Sequence, residues 1–558
     1  MKKSRNQGAS KGPEALPFGP RILAWLDGHA RASFWVLLLV ATVRIAATYG
    51  VFNHTIDEPA HIACGMEWID QGRYVYEPQH PPLARVAAAI GPYLAGRRYV
   101  GRPGIYQEGA AILYRDNHYD RNLMLARVGI LPFFWLGCAV VYWWGQRSLG
   151  RAGAVIATFL FTFSPSLLAH AGLATTDMAL TATLGAAFLA TLVWLEEPSL
   201  TRAAIVGVSL GLAVLSKLSA LAFYPSACAA ALGWYLWSAK LNWAEMRVRV
   251  TQRLPGLGVA ILTAGLVIWA GYRFSFGYSP LLGFSTPAPE FFRGVSAVIN
   301  HNREGHAAYL LGQRSLTGWW YYYPVVLAVK TPMALILLLA TGIWLLGGKG
   351  RPASGIVLAL AGSVGILVFS LFTHINIGLR HILPVYFGFI LVAAYGGIRL
   401  LEKPPATLWP RITVGVMLWM GLTSILSHPD YLPYFNLLAG NEPEQILVDS
   451  DLDWGQDMKR LSARLHELGV RELTFNPFIM AYLEVAHGFP PLRPMDPSEP
   501  SPGWNAVSLT VLRAARLGLQ EQYPGLVLWP EVRKPTERVG ASTLLYYVPP
   551  DSLRQPAR

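Results

Sequence analysis

The densest set of chemically useful residues is TIDEPAH, Thr55 to His61, where the adjacent acids Asp57 and Glu58 are followed by His61. Glu58 and His61 are separated by about one helical turn. Paired carboxylates just after an apolar stretch suit proton abstraction, because partial desolvation raises a carboxylate's basicity. The same residues also make an ordinary helix start, with Asp57 as N-cap and Pro59 in the first turn. A metal half-site on Glu58 and His61 would need a second Glu-x-x-His and two more glutamates, and no second copy is evident.

Downstream comes YEPQHPPLAR, Tyr76 to Arg85. Pro81 and Pro82 fix an extended segment before a second interfacial helix, and a loop that folds back would bring His80 and Arg85 to the carboxylates as substrate-binding groups. A plain prolyl turn is the alternative. LATTDMAL, Leu173 to Leu180, carries Asp177, which either caps a helix or adds a third acid to the same face. Cations also fall at membrane depth, where each costs about 2.5–3.5 kcal/mol on insertion scales. These are Arg44, Lys217, Lys330 and Arg380 with His381. Snorkelling suits Arg44, whereas Lys217 and Arg380 point to an anion carried on a lipid. DSDLDWGQD, Asp449 to Asp457, alternates acids but places Trp454 and Arg460 where a calcium loop needs Gly and Glu. It reads as a capping turn between a strand and a helix. His301, Arg303, Glu304 and His306 mark a lid or acceptor-binding segment.

The elements that position these residues must be membrane helices. The chain has 558 residues, 53% hydrophobic and only 14% charged, too little polar side chain to cover a soluble globule. Stretches of roughly 20 apolar residues occur at Ala32 to Val51, Ala126 to Trp144, Ala152 to Ala171, Asp177 to Leu195, Ala203 to Lys217 and Leu218 to Trp237. Others follow at Leu257 to Phe276, Tyr321 to Leu346, Ser354 to Phe372, Ile382 to Leu400 and Leu408 to Leu426, making about eleven spans. The fifth and sixth form one long apolar run, divided at Ser216-Lys217.

The formal net charge of +13 reports orientation rather than nucleic acid. With a cytoplasmic N-terminal tail, residues 1–20, carrying Lys2, Lys3, Arg5 and Lys11, alternate loops should be basic. Arg147 and Arg151, Arg202, Lys240 to Arg253, Lys349 and Arg351, then Lys403 and Arg411 fall in those loops. That tail is polar, lacks the apolar core of a cleavable signal and reads as disordered. The transmembrane domain covers 21–428, with outer loops at about 52–125 and 277–320, and an extracytoplasmic α/β domain covers 429–558. In it the expected strands are Gln445 to Val448, Glu472 to Phe475, Ala506 to Leu512 and Ser542 to Val548, with an amphipathic helix at Gln456 to Leu468. Prolines from Pro490 to Pro502 stiffen the connection between its halves. Cys64, Cys138 and Cys228 are widely separated and fit neither a disulfide framework nor a zinc site.

Taken together, TIDEPAH with YEPQHPPLAR, LATTDMAL, GLAVLSKLSAL (Gly211 to Leu221), HINIGLRHILPVY (His374 to Tyr386) and DSDLDWGQDMKRL (Asp449 to Leu461) resemble a known family. It is the polyprenyl phosphate dependent glycosyltransferases of family 39, which includes protein O-mannosyltransferases and is related to aminoarabinose transferases. The resemblance implies a type C glycosyltransferase fold whose first outer loop carries an acidic catalytic motif, matched here by Asp57 and Glu58. It implies a polyprenyl phosphate-linked sugar as donor, a protein, lipid or glycan acceptor and a multi-pass place in the cell membrane. No cofactor is required on this reading, although a divalent metal is compatible with it. Asp57 would be the general base, Glu58 and Asp177 would assist, and Lys217, Arg380 and His381 would bind the carrier phosphate. His61, His80 and Arg85 would contact substrate. The competing class is a secondary transporter of an anionic solute, and a third is a scaffold whose outer domain is the working part.

Overall fold

The computed structural model describes residues 16–239, 243–348, 354–404, 406–496, 498–523, 525 and 527–550. Lys2, Lys3, Arg5, Lys11, Lys240, Lys349, Arg351 and Pro497 lie outside them, as does most of the tail expected at 1–20. Its last residues are helical, because Phe18–Gly28 forms the first helix.

Each apolar stretch becomes helix. The long elements are Ala30–Ala46, Leu131–Thr162, Asp177–Glu196, Leu200–Ser216, Ala220–Ala239 and Trp243–Gly271. Tyr322–Lys330 with Met333–Leu346, then Ser354–Ser370, Tyr386–Leu401 and Trp409–Leu426 complete them. Five helices are long and apolar enough to cross a membrane alone, or seven when two bent pairs count as spans. Leu200–Ser216 and Ser354–Ser370 are shorter apolar helices. Part of the difference from about eleven lies in Leu131–Thr162, which is two helices in one. Gly150 breaks it at φ 78°, a conformation in which an L side chain meets a steric penalty, and a methyl at Gly145 would lie 3.0 Å from the Cα of Ala154. In an unbroken helix those residues would stand ~13 Å apart along the axis, so the chain folds back on itself, dividing where the sequence divides its second and third stretches. The run 203–237 likewise splits at Lys217, whose backbone is extended.

Large apolar side chains at helical spacing stay exposed on these elements, among them Trp35, Leu39 and Val43, Ile261 and Leu262, and Leu418, Leu422 and Ile425. Faces of this size belong against hydrocarbon. Two cations at that depth find partners inside the protein. Arg44 does not snorkel: its guanidinium donates to Ser424 O at 2.6 Å and to the Tyr431 hydroxyl at 3.1 Å. Lys330 donates to Leu432 O at 2.7 Å and Asp451 O at 2.6 Å, which is a structural use.

The first outer loop is a packed helical layer of Glu58–Met66, Pro82–Leu94, Ile105–Leu113 and Tyr119–Val128. Two glycines let its helices touch, since a methyl at Gly65 would lie 1.9 Å from Arg85 O and one at Gly109 1.9 Å from Pro59 O. The second outer loop holds a hairpin, Phe276–Ser279 with Phe284–Pro287, then the helix Pro289–Glu304 and a second hairpin, Ala308–Leu310 with Gln313–Ser315.

The C-terminal region builds a five-stranded mixed sheet in the order Leu492–Arg493, Leu473–Phe475, Gly503–Ser508, Thr543–Val548, Glu537–Val539. The helix Met458–Glu467 buries Met458, Leu461 and Leu465 against Leu473, Phe475 and Leu545 of that sheet. Two sequence expectations are corrected. Gln445 to Val448 is no strand, because Pro443–Gln445 forms a 3-10 turn that feeds a loop. The strand expected to run to Leu512 stops at Ser508, whose hydroxyl accepts the Val511 amide and starts the helix Leu509–Gln522.

The domain is fastened to the first outer loop mainly through the Asn53 side chain. Met458 N donates to Asn53 Oδ1 at 2.6 Å, Asn53 Nδ2 to Gly455 O at 2.7 Å, and Ile56 N to Trp454 O at 3.2 Å. Asp457 ties the junction to the sheet by accepting the Ser542 hydroxyl at 2.8 Å and the Ala541 amide at 3.1 Å. Burial pushes its carboxyl up to about 6, although Arg460 and Ser542 pull it down. An acid raised above its unfolded value, about 3.9, contributes stability when protonated and loses it as pH rises through 6. Measured as the unfolding temperature of wild type minus that of Asp457→Asn, this contribution grows as pH falls from 7 towards 5, and a difference that does not change with pH would refute the assignment.

Candidate active site

A cavity of about 950 Å³ opens between the first outer loop, the second outer loop and the segment after Val448. Asp57 lies on its wall. Although Asp57 occupies the N-cap position of Glu58–Met66, its side chain makes no capping bond. The carboxylate instead accepts Arg380 Nη1 at 2.8 Å. Arg380 is supplied by the turn Leu379–Val385 at the head of Tyr386–Leu401, and its guanidinium stacks 4.3 Å over the ring of Trp454. Three segments far apart in sequence thus meet at one ion pair. Arg380 and His381 both line the cavity, and Arg380 Nε and His381 Nε2 are buried without a partner among the described residues.

Glu58 points elsewhere. It is fully buried and takes both arms of Arg127, Nε at 2.8 Å and Nη2 at 2.9 Å, with the amides of Thr55 at 2.8 Å and Ala174 at 2.9 Å. Burial alone would raise its carboxyl, but Arg127 and these hydrogen bonds outweigh it and hold it below the usual range. Every lone pair direction is occupied and Glu58 does not line the cavity; it fixes the loop that presents Asp57.

Asp177 also stands behind the cavity wall. It starts the helix Asp177–Glu196 without any side-chain cap bond from Thr176, is buried, and does not line the cavity. Its Oδ1 accepts Lys217 Nζ at 2.7 Å, and Lys217 does line the cavity. The extended residue that separates two helices is therefore aimed by an acid on a third.

Of the expected substrate contacts, His80 reaches the cavity and His61 and Arg85 do not. Arg85 is buried and holds the loop together, donating to His61 Nδ1 at 3.1 Å, to the Tyr74 hydroxyl at 3.0 Å and to Glu77 O at 2.9 Å. Because arginine only donates, His61 Nδ1 is the acceptor in that bond. Burial pushes the imidazoles of His61 and His80 down, so both are neutral near pH 7.

The second outer loop forms the facing wall with His301, Asn302, Arg303 and His306, and His301 Nε2 lies 3.0 Å from His306 Nδ1. One flank of the cavity is apolar, made by Leu221, Phe223, Val295, Ile299, Phe369 and Phe372. Asp449 and Trp454 also line the cavity, which reading DSDLDWGQD as a capping turn missed. The signal available was the alternation of acids, more than a single cap uses. Among the described residues no group of three or more His, Cys, Asp or Glu side chains is arranged to hold a metal ion.

Comparison with known proteins agrees with the resemblance carried by the motifs. Residues 35–268 match the model of the family described as dolichyl-phosphate-mannose-protein mannosyltransferase. That segment contains Asp57, Glu58, Asp177 and Lys217. No curated protein matches the chain in sequence. Among solved structures, ArnT from Cupriavidus metallidurans bound to undecaprenyl phosphate is similar at 16% identity and TM-score 0.49, over 74% of this chain and 67% of that one. The archaeal oligosaccharyltransferase AglB from Archaeoglobus fulgidus, in complex with an inhibitory peptide and a dolichol-phosphate, is similar at 12% identity and TM-score 0.44. That similarity covers 72% of this chain and 56% of AglB.

Proposed function

We propose that this protein is a membrane glycosyltransferase that moves a sugar from a polyprenyl phosphate carrier to an acceptor on the extracytoplasmic face. The observation that supports it is the two-sided cavity, with Asp57 paired to Arg380 at one end and an apolar flank at the other. A lipid-linked phosphate needs both sides, hydrocarbon against the flank and cations around the headgroup.

The acceptor oxygen attacks the anomeric carbon opposite the phosphate, the bond from that carbon to the phosphate oxygen breaks, and the acceptor proton passes to Asp57. The carrier leaves as a phosphomonoester, and a single displacement inverts the anomeric centre. Negative charge develops on the leaving phosphate, so cations serve it better than a proton donor does. Arg380 and Lys217 are the cations at hand, and His381 stands beside them as a hydrogen-bonding group. Asp177 acts through Lys217 and Glu58 through the loop, so both are positioning residues. His80 stands at the wall as a neutral hydrogen-bonding group. The acidic loop and the C-terminal domain face outward, and the basic loops face the cytoplasm.

The test is sugar release by the purified protein from a panel of polyprenyl phosphate sugars, mannose first, with crude acceptor fractions present. Intact donors throughout would overturn the reading and favour anion transport, which counterflow in vesicles would detect. Within this assay Arg380→Lys keeps the charge but loses the planar fork and the stacking on Trp454. Binding of undecaprenyl phosphate then weakens about tenfold, measured by titration of the detergent-solubilised protein, and unchanged affinity would remove Arg380 from the phosphate site.

A further inference from the structure

Four acids lie between Asp449 and Asp457, and three of them have structural partners. Asp451 Oδ1 accepts the Leu379 amide at 3.1 Å, Asp453 Oδ2 accepts the Thr510 amide at 3.0 Å, and Asp457 fastens the Ala541-Ser542 turn. Asp449 differs from all three. Among the described residues, its carboxylate accepts only the amide of its own neighbour, Ser450. The residue lines the cavity with Asp57, Arg380 and Trp454.

Its backbone lies at φ 57°, in the left-handed region that residues with a Cβ enter at a steric cost. The conformation is held from both sides: Asp449 N donates to Thr510 Oγ1 at 2.9 Å, and Ser450 Oγ donates to Ile377 O at 2.6 Å. Held in this way, the turn fixes where the Asp449 carboxylate stands on the cavity wall. Burial pushes the Asp449 carboxyl up to about 6, with Arg380 pulling down and Asp57 pushing up. Arg380, more than nine-tenths buried, carries a charge felt by both acids and, among the described residues, keeps its Nε without a partner.

We propose that Asp449 binds the acceptor, taking a hydrogen bond from a second hydroxyl or amine while Asp57 receives the proton of the attacking hydroxyl. A carboxylate repels the carrier phosphate, so its ligand is a hydrogen-bond donor, and the C-terminal domain stands on the side from which a water-borne acceptor arrives. The acceptor is therefore a polyol, a glycan or an amino alcohol with two donors close together, rather than a lone alcohol. This inference rests on the transferase reading above.

The experiment uses the full-length protein, the undecaprenyl phosphate sugar it turns over in the panel, and two surrogate acceptors at equal hydroxyl concentration, glycerol and methanol. Wild type transfers to glycerol about tenfold faster than to methanol. Asp449→Gly, which suits the backbone and deletes the carboxylate, loses that preference through a higher KM for glycerol. Its rate on glycerol falls by a larger factor than its rate on methanol, while its binding of undecaprenyl phosphate is retained. Asp449→Asn, which keeps one acceptor oxygen, falls between. Absence of a glycerol preference in wild type, or equal losses on both acceptors in the Gly variant, would overturn the proposal while sugar release still supports the transferase reading. No release from any donor by wild type would overturn both.

Discussion

Asp57→Asn lowers sugar transfer by about 100- to 10,000-fold, the range that general base catalysis supplies, with undecaprenyl phosphate binding retained. The amide is nearly isosteric and its oxygen still accepts Arg380 Nη1, which in the wild type lies 2.8 Å from the carboxylate, so the wall keeps its shape. What is lost is the ability to take a proton. Initial rates at saturating donor, compared with carrier affinity on the same preparation, separate the two effects. A variant that transfers within a few-fold of wild type would move the base elsewhere in the cavity, with Asp449 next in line.

The second large effect falls on stability. Arg127 and Glu58 are both buried, 1% and 0% exposed in their side chains, so removing one partner leaves the other charge uncompensated. Arg127→Met costs about 3–5 kcal/mol, seen as a lower unfolding temperature in detergent and a lower yield of folded protein. Combining it with Glu58→Gln recovers a substantial part, because two neutral groups replace a stranded carboxylate and the Thr55 and Ala174 amides keep an acceptor. A single variant that melts with wild type would show that the pair does not hold the loop.

Helix positions were legible because apolar length is a local property. Even the reversal at Gly150 and the division at Lys217 announce themselves as interruptions of otherwise continuous hydrocarbon. The site was half legible. Asp57, Lys217, Arg380, His381 and His80 reach the cavity, whereas Glu58, Asp177, His61 and Arg85 act one layer behind it. Residue type could not make that distinction. Asp57 and Glu58 are neighbours, but successive side chains at a helix start diverge by about 100°, and one meets an arginine 323 positions away while the other meets one 69 positions away. The strand expected at Gln445 to Val448 failed for a related reason. Its alternation is apolar enough, but Leu447 belongs to the core of the membrane domain and Val448 to a cluster with Leu452 and Leu509, so long-range packing overrides local propensity.

The bonds from the Asn53 side chain to the backbone of Gly455 and Met458 join residues 402 and 405 positions apart. At a synthesis rate of about 5–20 residues per second, the first outer loop waits about 20 to 80 s for the strand of chain that completes its wall. The Arg127 that neutralises Glu58 arrives after only 69 residues, about 3 to 14 s at the same rate. The loop can therefore settle its buried charge early, on the nascent chain, while Arg380 and Trp454 are still unmade. A donor lipid meeting the half-built protein finds Asp57 without its partner, and the reaction chamber comes into being only when nearly the whole polypeptide has been delivered.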